Sequence, residues 1–420
     1  GAHPDADRNR AQAGEHGRVG FRGRFFSKAN LEFRIECRMS GPKSQPVLFE
    51  ERRAANGARI GVATLNAEKS LNALSLEMID LLAGRLAAWA EDPGVALVVL
   101  EGAGEKAFSA GADLHKVHET MLAHHASAQR DDIRGNAYAA GFFGREYRLD
   151  YAIHTYPKPV LAWGHGIVMG GGVGLVSGAS HRVVTPESRV AMPEITIGLY
   201  PDVGGSWLLG RMPGATGLFL ALTGARLQAS DALFVKLADY CIDHARKSAV
   251  FDALLAQPWG RAPGGNHRLL SAVVRGFAQA DLPHGPLRQH FDLISKLCGG
   301  GELHEIVAAI IGLKTEDTWL ARAAATLAAG SPGTAALSYE LQRRARHLSL
   351  ADVFRMEFVA ALHCARRPDF AEGIRALLID KDQRPRWQPP TLAQVTPEWI
   401  EGFFASPWKA HEHPLADLGA

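Results

Sequence analysis

Two carboxylates and three glycines carry the chemistry this sequence can do. Glu194 and Asp202 stand eight positions apart (202 minus 194), downstream of Gly170, Gly171 and Gly172 in the stretch IVMGGGVGLVSGASHRVVTPESRVAMPEITIGLYPDVGG, residues 167–205. Consecutive glycines let a backbone press against a ligand with no Cβ between them. The apolar residues that follow, Val173, Leu175 and Val176, predict the start of a buried helix. A helix start offers unpaired N–H groups and the positive end of the macrodipole to a negative oxygen. Upstream, KAFSAGADL (residues 106–114) follows a strand ending at Leu100 and sets small residues where a second backbone can face a ligand. Together the two turns predict an oxyanion site, and the two acids beside it would supply a base or nucleophile and its partner. Gly198, Pro201, Gly204 and Gly205 interrupt any regular helix through Glu194 and Asp202, so a turn must bring both acids around one space.

Each acid also has a plain structural reading. Glu194 follows Pro193, and an acid in a first helical turn is a common dipole partner, worth roughly 0.3–1 kcal/mol. Asp202 could simply cap a helix beginning near Trp207.

The elements that position these residues follow from periodicity. VLFEERR and ARIGVATL flank Ala55-Asn56-Gly57, and Asn-Gly is a strong hairpin signal. Ser75 predicts an N-cap, with Leu76, Ile79, Leu82, Leu86 and Trp89 at helical spacing up to Asp92-Pro93-Gly94. Short apolar strands follow at 96–100, 159–163, 182–184 and 189–192, alternating with helices, which predicts an α/β fold with a mostly parallel sheet. Beyond about residue 205 the strands thin out. Helices are predicted at 207–222, 229–236, 247–255, 304–311, 319–329, 334–345 and 351–364, separated by Gly/Pro stretches such as Pro258–Asn266 and Leu282–Pro286.

Composition bounds the rest. A chain of 420 residues with 47% hydrophobic content can bury a large core, as one large domain or two modest ones. The 46 basic and 44 acidic residues leave a net charge of +2, so nothing in the overall field attracts nucleic acid, and an anionic ligand must be held locally. The four cysteines, Cys37, Cys241, Cys298 and Cys364, form no CxxC pair, the 18 histidines show no metal-ligand spacing, and no apolar run approaches the ~20 residues of a membrane span. Neither a metal nor a disulfide framework is expected, and a reducing compartment fits. Residues 1–38 are rich in Arg, Gly and Ala and read as a flexible or artefactual extension; Asp5, Asp7 and Glu15 argue against an acid-poor targeting segment.

The motifs resemble the crotonase, or enoyl-CoA hydratase/isomerase, superfamily, whose AF-x-AGAD and GGG segments supply two N–H groups to an acyl-CoA thioester oxygen. Carried over residue by residue, the resemblance implies donors at Ala110 and Gly171. EKSLNALS (68–75) looks like that family's PKxLNALS and implies a CoA contact at Lys69, which by itself would be a surface lysine. Hydratases of the family use two glutamates, one just after the glycine triplet, where this chain has Gly174. MPEITIGLYPDVGG instead resembles the MPExxIGLFPDVGG of the 3-hydroxyisobutyryl-CoA hydrolase group, whose two acids match Glu194 and Asp202. FFGREYRLDY (142–151) is similar to that group's FFREEYxLN and implies substrate contact at Glu146, otherwise a solvated helical residue. DFAEGIRALLIDKDQRPRW (369–387) is similar to its DFxEGxRAxLIDKDQxPxW. Gly144 and Tyr200 depart from these patterns without removing chemistry, and Asp113 is expected to satisfy the backbone of the loop carrying Ala110.

The resemblance implies a crotonase-like ββα spiral core over residues 39–260, binding acyl-CoA, followed by a mostly helical region over 261–420. It implies hydrolysis of a short 3-hydroxyacyl-CoA, as in valine breakdown, with Glu194 as nucleophile or general base and Asp202 positioning the hydroxyl or water. Attack through an anhydride and base-assisted attack by water are both open. A hydratase or isomerase of the same fold and a non-catalytic CoA-binding protein are the alternatives. No separate cofactor is implied, coenzyme A being part of the substrate, and no nucleic acid or membrane partner. A homo-oligomer is open, since relatives are often trimers or hexamers, and the implied location is cytoplasmic, or the mitochondrial matrix in a eukaryote.

Overall fold

The hairpin forms where Asn-Gly predicts it. Strands β1 (Val47–Arg53) and β2 (Arg59–Leu65) pair antiparallel, Val47 opposite Leu65 and Arg53 opposite Arg59, around Gly57 at φ +87°. The computed structural model describes residues 45–260 and 262–420, which fall in one compact unit; Cys37 and the extension expected over residues 1–38 lie outside them.

Helix α1 (Leu76–Glu91) starts at Ser75, whose hydroxyl accepts the Met78 N–H at 3.2 Å, and it buries Met78, Ile79, Leu82, Leu86 and Trp89. The chain then coils. It runs through β3 (Val95–Gly102), β4 (Ala107–Ser109), α2 (Leu114–His125), α3 (Ala137–His154), β5 (Val160–Gly164), β6 (Ile167–Met169), α4 (Gly171–Ser177), β7 (His181–Val184) and β8 (Arg189–Ala191). After α5 (Gly205–Leu209), α6 (Thr216–Thr223) and α7 (Ala229–Phe234), β9 (Tyr240–Cys241) completes a six-stranded sheet of order β1-β2-β3-β5-β7-β9, parallel from β2 onward. β4, β6 and β8 form a second, three-stranded parallel sheet. Each coil thus gives one strand to each sheet and then passes through helix: this is the ββα spiral.

Both faces of the large sheet are buried, as parallel strands require. Val98 and Leu100 of β3 face the main core; Leu97 and Val99 face a second cluster closed by α8 (Lys247–Leu255) and α9 (Pro263–Phe277). The remaining helices, α10 (Pro286–Gln289), α11 (Phe291–Cys298), α12 (Leu303–Ile311), α13 (Thr318–Ala329), α14 (Pro332–Ala345), α15 (Leu350–Arg366), α16 (Pro368–Ile374) and α17 (Pro397–Glu401), make the chain mostly helical beyond the core. No helix among the described residues is long and apolar enough to cross a membrane.

Two helix expectations need correction. The single helix expected over 207–222 is broken into α5 and α6, because Gly214 and Ala215 after Pro213 take φ of +58° and +57°. The Gly/Pro stretch Pro258–Asn266 is not all loop: Pro263 occupies the first turn of α9, where its missing N–H costs nothing.

Candidate active site

The first wall of the site is the turn after β4. The Ala110 N–H donates to the Leu71 carbonyl at 2.9 Å, so it is not free to meet a ligand. The Gly111 N–H donates to Ser109 Oγ (3.2 Å) and the Asp113 N–H to the Leu74 carbonyl (2.9 Å). Ala112 carries the one amide of this turn with no partner among the described residues, which corrects the donor expected at Ala110 to its neighbour two positions on. What fixes the turn is Asn72, buried beneath it. Its Oδ1 accepts the Ala67 N–H (2.9 Å), and its Nδ2 donates to the carbonyls of Ala103 (3.0 Å) and Ala107 (2.9 Å). Leu71 and Asn72 both hold left-handed φ, 54° and 55°, uncommon for residues with a Cβ. Lys69 stands exposed on the short 3-10 turn Glu68–Ser70 just ahead of them. Asp113 does not satisfy the Ala110 loop as expected; it caps α2, accepting the His115 N–H at 3.2 Å.

The second wall is the glycine triplet, and carboxylates pack directly on its backbone. Gly170 takes φ +50°, and a Cβ there would lie 3.1 Å from Glu194 Oε1 and 3.7 Å from the Gly111 Cα. A Cβ on Gly171 would lie 2.4 Å from Glu146 Oε1. Gly171 opens α4, and its N–H has no partner among the described residues. At Gly174 a Cβ would lie 2.8 Å from the Val203 Cβ and 2.9 Å from Asp150 Oδ1, so no side chain fits without displacing one of them.

The acids are buried rather than solvated. Glu194 begins the 3-10 turn Glu194–Ile197 and is 5% exposed; its Oε2 has no hydrogen-bond partner among the described residues. Burial first, and then Asp202, lift its pKa well above the ordinary carboxylate range. Asp202 accepts the Tyr147 hydroxyl at 2.8 Å; burial raises its pKa to about 6 against the pull of that hydrogen bond. Glu146, on α3, is 2% exposed, and burial followed by Asp202 raises its pKa too. Its reading as a solvated residue fails. So does Asp202 as a helix cap: Gly204 occupies that position of α5, and the N–H groups of Gly204 and Ser206 donate to the Glu357 carboxylate at 2.8 and 2.9 Å. Val203, between Asp202 and Gly204, is held at φ 52°, a strained angle for a β-branched residue.

The C-terminal helices hold these turns. Glu357 projects from α15, and its backbone carbonyl also accepts the Tyr200 hydroxyl. Burial lifts the Glu357 pKa to about 8, while the two amides pull the other way. The turn bearing Glu194 is clamped by Ser331, whose N–H donates to the Ile195 carbonyl (3.2 Å), and by α16, where a Cβ on Gly373 would lie 2.3 Å from the Ile197 carbonyl carbon. Asp369 fastens that clamp, accepting the Ser331 hydroxyl and the Gln388 N–H, each at 2.7 Å. The IDKDQ segment, residues 379–383, is itself exposed, and its acids bind Arg375: Asp380 at 2.6 Å and Asp382 at 2.8 Å.

Residues 60–404 match the model of the family described as enoyl-CoA hydratase/isomerase. The chain belongs to that family. Among its relatives is the mitochondrial 3-hydroxyisobutyryl-CoA hydrolase of Danio rerio, 37% identical over 88% of this chain and 91% of that protein. The Homo sapiens protein of the same name is 34% identical over 82% and 86%. Among solved structures, a carnitinyl-CoA dehydratase from Mycobacterium thermoresistibile superposes with TM-score 0.73 at 35% identity, covering 85% of this chain and 96% of its own. An enoyl-CoA hydratase from Rhodobacter sphaeroides superposes with TM-score 0.72 at 33% identity, covering 86% and 97%. The family's spiral is the fold described above.

Three residues at the site escaped sequence reasoning. Tyr147 and Asn72 lie inside the family motifs, but nothing in spacing says that a tyrosine holds Asp202 or that an asparagine bridges three segments. Asp150 had a visible signal: it stands where the FFREEYxLN pattern ends in Asn. It is fully buried, with neither carboxylate oxygen hydrogen-bonded among the described residues.

Proposed function

We propose that this chain is an acyl-CoA thioester hydrolase acting on 3-hydroxyisobutyryl-CoA or a similarly short 3-hydroxyacyl-CoA. The observation that carries the reading is the packing at Gly174. A hydratase adds a proton and a hydroxyl to adjacent carbons with an acid on each side; here the position after the triplet has no side chain, and Val203 and Asp150 leave no room for one. Glu194 and Asp202 remain beside the paired turns, a set that suits thioester cleavage. The names of the Danio rerio and Homo sapiens relatives support the same activity.

In this mechanism the thioester oxygen lies between the N–H groups of Gly171 and Ala112, each contributing about 3 kcal/mol as charge develops on it. Glu194 attacks the carbonyl carbon or takes a proton from the attacking water. Its burial raises its basicity toward the working pH, where a general base is most effective. Asp202, with a pKa of about 6, is mostly ionised at neutral pH and accepts a hydrogen bond from the 3-hydroxyl of the acyl group or from water. Glu146, against Gly171, contacts the acyl end, and Lys69 meets the CoA phosphates by charge alone. Coenzyme A leaves as the thiol, its sulfur taking up the proton drawn from the attacking water; where Glu194 attacks directly, water then cleaves the resulting anhydride, supplies that proton and restores the carboxylate. The relatives' names carry the word mitochondrial, and a matrix location with a role in valine breakdown follows from the same reading.

A thiol-release assay on 3-hydroxyisobutyryl-CoA, run beside crotonyl-CoA hydration, tests this. Release of free thiol with little hydration is expected. Efficient hydration without thiol release would replace the hydrolase with the hydratase that the names of the two solved structures favour.

A further inference from the structure

Glu146 and Asp150 lie four positions apart on α3 and so share one helix face, opposite Gly171 and Gly174, which share a face of α4. Glu146 packs on Gly171, and Asp150 packs on Gly174, its two oxygens 2.9 and 3.0 Å from where a Cβ would stand. Asp150 is 0% exposed, and neither oxygen finds a hydrogen-bond donor among the described residues. Among the described residues, the charged groups whose field reaches it are acids: Glu146 from its own helix, Asp202 from the loop before α5, and Glu357 from α15. A carboxylate ion at this point would be unsolvated, unpaired and close to Asp202, which is mostly ionised at neutral pH, a costly arrangement. The neutral acid still lacks hydrogen-bond partners among the described residues, but it avoids burying a charge and the repulsion from its neighbours.

We propose that Asp150 is a positioning residue that must keep its proton for the site to work: neutral, it backs Glu146 and the α4 glycines without adding charge, and its ionisation repels the Glu146 and Asp202 carboxylates and stops turnover. The proposal rests on the hydrolase reading above. Burial, and after it Glu146, push the Asp150 pKa well above the ordinary carboxylate range, so the acid keeps its proton to higher pH than an exposed aspartate would. The loss of activity therefore belongs to rising pH.

Asp150→Asn supplies a neutral group of the same shape that cannot ionise. In the wild type, kcat/KM should fall about tenfold per pH unit above the Asp150 transition; in the variant that alkaline limb should move up by at least about one unit or vanish. Infrared difference spectra, wild type minus variant at neutral pH, should show the carbonyl band of a protonated carboxylic acid. Superimposable alkaline limbs, or a difference spectrum without that band, would overturn the proposal. Should the variant fail to fold, wild type with carbon-13-labelled aspartate gives the same answer: a protonated-aspartate band that persists above neutral pH and disappears together with the alkaline limb supports it, and a band lost below neutral pH refutes it. The infrared readout needs no substrate, so a chain that cleaved no thioester would sink the hydrolase reading while the protonation of Asp150 was still measured.

Discussion

Tyr147→Phe removes a single oxygen, and its effect can be worked out in advance. The Tyr147 hydroxyl donates to Asp202 Oδ2 at 2.8 Å in a fully buried setting, and of the interactions opposing the burial that raises the Asp202 pKa to about 6, this hydrogen bond is the strongest. A hydrogen bond to a charged group contributes about 1.5–3 kcal/mol. At 1.36 kcal/mol per pKa unit, its loss raises Asp202 by about 1–2 units, to roughly 7–8. The bond favours the ionised form, so losing it leaves Asp202 protonated over a wider range. If turnover needs the carboxylate, the acid limb of kcat/KM must move with it. At pH 6 the variant should be slower by roughly 5- to 50-fold, and the gap should close as the pH passes the new transition. Thiol release from a 3-hydroxyacyl-CoA ester, followed across the acid and neutral range, measures this directly. An acid limb that stays where the wild type has it, with activity lowered equally at every pH, would show that Asp202 does not act as the ionised partner.

The other expectations follow from the same geometry. Glu194→Gln should lower kcat by about 10²–10⁴-fold while CoA binding by calorimetry changes little, and near-normal turnover would remove Glu194 from the chemistry. Asp202→Asn should raise stability, because a carboxyl whose pKa rises from 3.8 unfolded to about 6 folded contributes stability that is complete below 3.8 and lost as the pH climbs through 6. Two units correspond to about 3 kcal/mol, so denaturant melts at pH 8 should favour the variant by up to that amount and converge at low pH, and a less stable variant at pH 8 contradicts the burial argument. Gly174→Glu, the change that would restore a hydratase-like acid, should cost about 1–3 kcal/mol by overpacking against Val203 and Asp150 and should not hydrate crotonyl-CoA; a stable, hydrating variant would reverse the reading of that position.

What could be read along the chain was whatever one local segment decides. The hairpin at Asn56-Gly57 and α1 behind Ser75 announce themselves by turn chemistry and by period, because the residues that decide them are a few positions apart; the buried strands show only as apolar runs, and their pairing, such as Val98 opposite Val160, does not. In helix α3 it is burial that hides: Glu146 and Asp150 lie on the same buried face as Phe142, Phe143, Tyr147 and Ile153, so polarity along the segment misreports which side is wet. The donor amide illustrates the limit most sharply. Motif matching finds the turn after β4, yet which of its N–H groups is free depends on a carbonyl at Leu71, nearly 40 residues earlier in the chain, and on the left-handed pair that aims it. The acids follow the same rule at longer range. Glu194 and Asp202 are legible as a pair in one motif, but their burial and their raised pKa values are made by Glu357 anchoring the Asp202 loop and by Asp369 and Ser331 clamping the Glu194 turn, from helices well over a hundred residues downstream. A carboxylate on an exposed turn would titrate near 4 and be a weak base. The helical C-terminal half therefore shapes the site: by closing over turns that glycines keep thin, it buries both acids and raises their proton affinity, that of Asp202 to a pKa of about 6.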